Sequence, residues 1–172
     1  AESIESNFVC GRNSCKILTI ILELVRRYNR SLEKIRGSVD FDPLGELVRT
    51  GNCLPSPDAA FDVARQLIEK ASLLPHFQVI TIHGDLFRQA GASIVQELAF
   101  SLAAGGEYLT QLTERELSVN RVAPRIRFQF AIGPDYFMEI ARLRAARFLW
   151  ADIVKAYGPS HDPVCKMSIQ TV

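Results

Sequence analysis

The chain lacks any apolar run long enough to cross a bilayer. Its longest, Ile17 to Val25, is interrupted by Thr19 and Glu23, far short of the roughly 20 residues a spanning helix needs. No membrane association is expected. There is no excess of charge of one sign: the formal net charge is +1. Nucleic acid is therefore not the expected partner, because phosphate backbones call for a concentrated basic footprint. The four cysteines, Cys10, Cys15, Cys53 and Cys165, fall in no zinc-ligand spacing and no secretory segment accompanies them. Free thiols in a reducing, cytoplasmic setting are expected rather than a disulfide framework. Low-complexity segments and internal repeats are absent as well.

What is present is ordinary for a globular protein: 48% apolar residues, 23% charged residues and ten glycines, without the low hydrophobicity that marks disorder. A chain of 172 residues fits one domain and can bury roughly 70% of its unfolded surface, enough for a core without disulfide or metal staples.

Residues 1–12 show no periodicity and read as a tail or linker, leaving 13–172 as the domain. Asn13 or Ser14 can cap a helix bearing Ile17, Ile20, Ile21, Leu24, Val25 and Tyr28 at helical spacing, ending near Asn29. Gly37 to Phe41 is a short strand that stops at Asp42-Pro43, where a helix over Leu44 to Arg49 begins and Gly51 ends it. Ser56-Pro57-Asp58 starts another, striped by Phe61, Ala64, Leu67, Ile68 and Ala71 and closed by Pro75. Phe77 to Ile82 is almost wholly apolar or β-branched, as in a parallel strand covered on both faces. Phe87 to Ala104 reads as a helix with Gly105-Gly106 as its stop, followed by a shorter helix from Tyr108 to Glu116. Arg125 to Ile132 is the third strand, Pro134 or Asp135 opens a long helix to Tyr157, and Lys166 to Thr171 is the fourth strand.

About four strands alternating with helices imply right-handed crossovers and a parallel sheet, with ligands beyond the carboxyl ends of the strands. Four units are too few for a closed eight-stranded barrel, which takes about 250 residues. The expected fold is α/β, a partial TIM-type (β/α) barrel. The chain is then a piece of a longer polypeptide, or its missing half is supplied otherwise.

The strand ends assemble an acidic, polar mouth from Asp40, Asp42, His83, Gly84, Asp85, Gln129 and Gln170. His83 and Asp85 read either as a base and its orienter or as solvated rim residues, since residues two apart on an extended chain share a side without having to touch. Asp40 and Asp42 read either as ligands of a hard cation or as a turn and helix cap, the usual role of Asp-x-Asp-Pro. Arg142, Arg144, Arg147 and Lys155, interleaved with Glu139 and Asp152, read as a solvated, salt-bridged helix face. His76 and His161 read as solvated loop residues beside Pro75 and Pro163, and Trp150, Phe148 and Phe137 as packed helix-to-sheet residues.

Several blocks recur together in one known family. They are His83-Gly84-Asp85, Arg88-Gln89-Ala90-Gly91-Ala92, Val95-Gln96-Glu97-Leu98-Ala99-Phe100, Ala123-Pro124-Arg125, and the run Phe137-Met138-Glu139-Ile140-Ala141-Arg142-Leu143-Arg144-Ala145-Ala146-Arg147-Phe148-Leu149-Trp150. Their order and spacing, over roughly Ile17 to Gln170, resemble the substrate barrel of adenosylcobalamin-dependent methylmalonyl-CoA mutases. Arg36-Gly37-Ser38 and Asp42-Pro43-Leu44-Gly45 are similar to the matching segment of the smaller subunits of heterodimeric mutases.

The resemblance implies a barrel whose strand ends once held an acyl thioester, and at these positions the chain departs from the family. Where catalytic subunits read Gly-Tyr-His-Ile, the tyrosine packing on substrate and the histidine bonding the thioester carbonyl, this chain has Asp85 and Leu86 in the second and third places. Leucine donates no hydrogen bond, and one lost donor of this kind costs on the order of 100- to 1,000-fold in rate. The position of a substrate-contacting glutamine is Asp40, an acceptor-only anion. Beside a substrate carboxylate about 4 Å away it would repel by about 4 kcal/mol at an effective dielectric near 20. Arg125 matches an arginine near the CoA chain, while Arg127 replaces a small serine and crowds the passage.

A vestigial substrate rim of Asp40, Gly84, Asp85, Arg125, Arg127, Gln129 and Gln170, with no catalytic residue and no metal ligand, is therefore expected. The family's Asp-x-His-x-x-Gly cobalamin motif does not occur, so adenosylcobalamin is expected in the holoenzyme through a partner and not on this chain alone. The implied function is that of a non-catalytic small subunit stabilising a catalytic one in a heterodimer, or of a barrel completed by the remainder of its own chain. Two rival readings are an active acyl-CoA mutase of altered specificity, in which Asp85 meets a cationic or hydroxylated acyl group, and a CoA-thioester binding module.

Overall fold

The computed structural model describes residues 4–52 and 56–172; Cys53 and the first three residues of the expected tail lie outside them. Among the described residues five strands form one parallel sheet in the order β1 (Ser6–Phe8), β2 (Arg36–Phe41), β3 (His76–His83), β4 (Ile126–Phe130) and β5 (Ser168–Thr171). Sequential order without a switch point places every crossover on the same side, as in a segment of a barrel rather than a doubly wound sheet. The helices are α1 (Ser14–Arg27), α2 (Pro43–Thr50), α3 (Pro57–Ala71), α4 (Gly84–Gln89), α5 (Ile94–Glu114), α6 (Val119–Val122) and α7 (Tyr136–Lys155). The fold is thus the expected partial barrel with one strand more than four.

The additional strand is Ser6–Phe8, inside the stretch that reads as a tail. Three residues are too few to show a period of two, and all three are exposed at the sheet edge. What admits them is Gly37 of β2. It sits at φ +152°, and a Cβ there would lie 2.0 Å from the carbonyl oxygen of Ser6. Only glycine lets the edge strand approach this closely.

Alternation divides the sheet sharply. Val39, Phe41, Ile80, Ile82, Ile126, Phe128 and Phe130 are buried on the face covered by helices. There they meet Leu18, Leu67, Ile68, Leu102, Leu109, Ala146 and Trp150. The opposite, concave face carries Asn7, Ser38, Asp40, Thr81, His83, Arg127, Gln129, Ser168 and Gln170, with the buried apolar Phe77 and Val79 in step with Thr81 and His83 on β3.

The glycine pair Gly105-Gly106 is not a stop: α5 runs through both to Glu114. A Cβ on Gly105 would lie 2.7 Å from Trp150 Cζ3 and 2.8 Å from Phe128 Cζ, so the glycine lets α5 seat against the T-shaped Phe128–Trp150 pair. The break falls earlier, between α4 and α5. There Gly91 has φ +94° and Ser93 starts α5 with a capping box, accepting from the Gln96 N–H while the Gln96 side chain accepts from the Ser93 N–H.

The long helix departs from its expected faces. Arg142 is buried, whereas Arg144 and Arg147 are exposed, and Phe137 and Phe148 are 79% and 67% exposed while Trp150 is fully buried. The Arg142 guanidinium pairs with Glu97 of α5 and, at 2.5 Å, with Glu139. It also donates to the Ala131 carbonyl at 2.5 Å, while Glu97 accepts from the Ala131 N–H (3.0 Å) and Glu139 from the Gly133 N–H (2.9 Å). One buried ionic cluster therefore fixes the loop leaving β4. His76 begins β3 instead of lying in a loop, though its side chain is exposed, and His161 stays exposed. Cys10, Cys15 and Cys165 are free thiols.

The two glycines should respond oppositely to alanine. Gly105→Ala overpacks the Trp150 contact and should destabilise by about 1–3 kcal/mol. Gly106→Ala meets open space and should stabilise by up to about 1 kcal/mol. Urea unfolding of the two variants measures both signs.

Candidate functional site at the carboxyl ends of the strands

The segment Asp42-Pro43-Leu44-Gly45 folds as a helix start with a second duty. Asp42 caps α2 by accepting from the Gly45 N–H (3.0 Å), and Pro43 occupies the first helical position, where its missing N–H costs nothing. A Cβ at Gly45 would lie 2.2 Å from Asp42 Oδ2, so this glycine makes room for the carboxylate. Asp42 also accepts from the Tyr108 hydroxyl (2.8 Å) and from the backbone N–H of His83 (3.1 Å). It thereby ties the ends of β2 and β3 to α5. Burial pushes its pKa up, against the lowering effect of these donors. Of the two readings for this aspartate, the structure gives the cap.

Asp40 belongs to a different arrangement. It is buried on the concave face and pairs with Arg127 at 2.9 Å. Asp40 Oδ1 also accepts from the hydroxyls of Thr81 (2.8 Å) and Ser38 (3.3 Å). Arg127 donates further to Ser38 Oγ (2.6 Å) and to Asn7 Oδ1 (2.7 Å), and lies 3.7 Å from Glu5. The layer Asn7, Ser38, Asp40, Thr81 and Arg127 thus spans the concave face from β1 to β4. Asp40 is therefore not a bare anion on this face: a guanidinium stands at contact distance from it. The two residues that separately looked like damage to the family's site are one ion pair.

Above this layer, toward the carboxyl ends, His83 stands half-buried. Beyond it the chain turns into α4 at Gly84, where a Cβ would lie 2.4 Å from Ser101 Oγ and 2.9 Å from the Gln129 carbonyl oxygen. That turn brings Asp85 back beneath the imidazole, with His83 Nδ1 3.5 Å from Asp85 Oδ1. Asp85 is buried and accepts from the side-chain amides of Gln129 (3.1 Å) and Gln89 (3.2 Å). His83 and Asp85 are thus in contact, with the imidazole half-buried and the carboxylate buried. The hydrogen bond to Asp85 is the main influence raising the His83 pKa, opposed by burial and assisted by the charge of Asp42. Gln170 is half-buried on β5, and its Oε1 has no hydrogen-bond partner among the described residues.

Arg125 is not brought to this rim. It precedes β4 at the amino end of the sheet, where its guanidinium donates to the carbonyls of Leu74 (2.5 Å) and Phe77 (2.7 Å).

A cavity of about 890 Å³ opens over the ends of β1, β2 and β3. Its apolar wall includes Val9, Phe41, Pro43, Ala60, Val63 and Leu86, and its polar groups are Arg12, Asp40, Asp42, Glu46, Arg49 and His83. This is the size of a small-molecule site. Arg12 and Tyr108 have no signal in the local sequence: one sits in the aperiodic stretch, the other on a helix whose pattern explains it as core. The Glu97–Arg142 pair had a signal, a glutamate and an arginine each set in an otherwise apolar helical stripe.

A consecutive parallel half-barrel with a ligand-sized cavity at its carboxyl ends defines a partial (β/α) barrel. Compared with known proteins, residues 2–172 match the family model described as methylmalonyl-CoA mutase. The chain is 36% identical over 160 residues to the methylmalonyl-CoA mutase small subunit of Porphyromonas gingivalis, covering 92% of this chain and 25% of that protein. It is 39% identical over 130 residues to methylmalonyl-CoA mutase of Rhizobium meliloti, covering 75% of this chain and 18% of that one. With the large subunit of P. gingivalis the identity is 35% over 143 residues, 83% of this chain and 20% of the relative. The chain belongs to the methylmalonyl-CoA mutase family and spans about a fifth to a quarter of the length of these relatives.

Two measurements test the site's electrostatics. The His83 pKa lies above its ordinary value of 6.5, so its contribution to stability is complete below pH 6.5 and is lost as pH rises through the folded value. Asp85→Asn should lower the pKa in an NMR titration of the imidazole and flatten that part of the stability profile. Arg127→Ser leaves Asp40 buried without its partner and should cost about 3–5 kcal/mol, whereas Asp40→Gln with Arg127→Ser should recover most of it. A double-mutant cycle in urea reads the coupling.

Proposed function

We propose that this chain is the substrate-barrel portion of a small-subunit-type methylmalonyl-CoA mutase, and that it supports a catalytic, adenosylcobalamin-carrying partner in the cytoplasm without itself turning over substrate. The observation that carries the reading is the chemistry at the rim. The place of the thioester-bonding histidine is Leu86, a hydrocarbon facing the cavity. The place of the substrate-stacking tyrosine is Asp85, committed to Gln89, Gln129 and His83. At the glutamine and serine positions stand Asp40 and Arg127, committed to one another. The proposed vestigial site is thus Asp40, Gly84, Asp85, Arg127, Gln129 and Gln170, with Arg125 apart from it.

A partner is supported by the surface. Phe137 and Phe148 on α7 and the outer edges of β1 and β5, which pair with no further strand among the described residues, are apolar or polar groups that call for covering, by a second subunit or by the rest of a barrel. Both small and large subunits occur among the relatives. Among the described residues no helix is long and apolar enough to cross a membrane. The cobalamin goes with the catalytic partner in this reading, as the small-subunit assignment implies.

The cavity favours a second reading, in which the mouth still takes an acyl-CoA, either as a binding module or as a mutase of altered specificity. Co-expression with a catalytic subunit separates the two. A stoichiometric complex on gel filtration is expected, together with stabilisation of the catalytic subunit by about 2.7 kcal/mol at one hundred times the dissociation constant. Failure of the well-folded full chain to form that complex would sink the subunit reading. A rearranged acyl-CoA product that disappears with Asp85→Ala would replace it by the active-mutase reading.

A further inference from the structure

The cavity and the polar layer beneath it make opposite demands on a ligand. The wall formed by Val9, Phe41, Pro43, Ala60, Val63 and Leu86 suits a hydrocarbon. Its charges are nearly all spoken for: Asp40 by Arg127, Glu46 by Arg49 at 2.5 Å, and Asp42 by three donors. Arg12 is the exception. It lines the cavity, is exposed, and has no partner among the described residues. A cation without a counter-charge at the edge of an apolar cavity selects a monoanion with an apolar body.

Below, the passage along the concave face is obstructed. Arg127 is 3% exposed and reaches from β4 across Thr81 to Asp40, Ser38 and Asn7. A long tail threading down that face would have to part a buried ion pair, leaving a charge unpaired at a cost of several kcal/mol. A short ligand seated above the layer disturbs none of it.

We propose that the mouth is a binding site for a short-chain free carboxylate, its hydrocarbon against the apolar wall and its carboxylate on Arg12, and that the Asp40–Arg127 pair makes the site select the free acid over its CoA thioester. This goes beyond the supporting role proposed above and rests on the same view of the rim as lacking turnover.

Calorimetry of the full chain with hexanoate and with hexanoyl-CoA tests it, with Arg12→Gln as the variant. Because Arg12 is exposed and unpaired, the variant should fold as the parent does. Hexanoate should bind at least tenfold more tightly than hexanoyl-CoA, and Arg12→Gln should weaken hexanoate at least tenfold. Asp40→Gln with Arg127→Ser should narrow the preference for the free acid. Equal or tighter binding of the thioester, hexanoate affinity unchanged by Arg12→Gln, or no binding of either probe at millimolar concentration would each overturn the proposal. Complex formation with the catalytic subunit, followed in the same preparations, reports on the subunit reading independently.

Discussion

The rim of this half-barrel is held at its height by one buried cluster, Arg142 between Glu97 and Glu139. Three charges in the interior are costly to desolvate and are retained only where the geometry repays the loss. Here the carboxylates take the N–H groups of Ala131 and Gly133 as well as the guanidinium, the guanidinium donates to the Ala131 carbonyl, and its Cζ lies 5.1 Å from the Phe130 ring centroid. The loop after β4 is thereby fastened to α5 and α7 at once. That fastening sets the end of β4, hence the position of Gln129, hence the donor that Asp85 accepts from. Burial raises the Glu97 pKa, and the Ala131 N–H and the Arg142 charge pull it back.

A second constraint runs along the concave face. Barrels of this type usually fill their axis with branched apolar side chains; this sheet adds to Phe77 and Val79 a layer of hydroxyls, amides and one ion pair. Polar groups in such a place must find partners within the layer. Asp40, Ser38, Thr81, Asn7 and Arg127 do so by sharing hydrogen bonds across four strands. A change at either charged member strands the other, so the two must be kept or replaced together. That is a physical reason to treat the two positions as one unit.

Much of the fold was legible because its signals are local. Ser56-Pro57 caps a helix, the apolar run before His83 is a covered strand, and Asp42-Pro43 ends one element and starts the next. The misreadings share a cause: residues whose role is set by a distant neighbour. Gly105 looks like a helix stop until Trp150 is placed against it. Arg142 looks solvated until Glu97, 45 positions away, is folded onto it. Asp40 looks like an exposed anion until Arg127, 87 positions on, reaches it. In the same way Phe137 and Phe148 look like core on composition, and only the placement of α7 shows which of its apolar faces the sheet takes. Sequence places the polar rim at the strand ends, because topology alone decides where those residues lie; the pairing of charges across strands there is not written in spacing.

The rim therefore separates two properties that an active barrel combines. The groups that hold the shape, Glu97, Arg142, Glu139 and Asp42, bond mainly to backbone N–H and C=O and to one another, so they depend on the fold and not on a ligand. The groups that would polarise a thioester act on a ligand alone, and nothing in the fold requires them. Leu86 illustrates the difference: a hydrocarbon at the mouth leaves no buried donor or acceptor unsatisfied, so it costs the architecture little, and on the function proposed above it offers a thioester no hydrogen bond. A side chain that only faces the cavity can change without strain, whereas the ion clusters beneath it cannot.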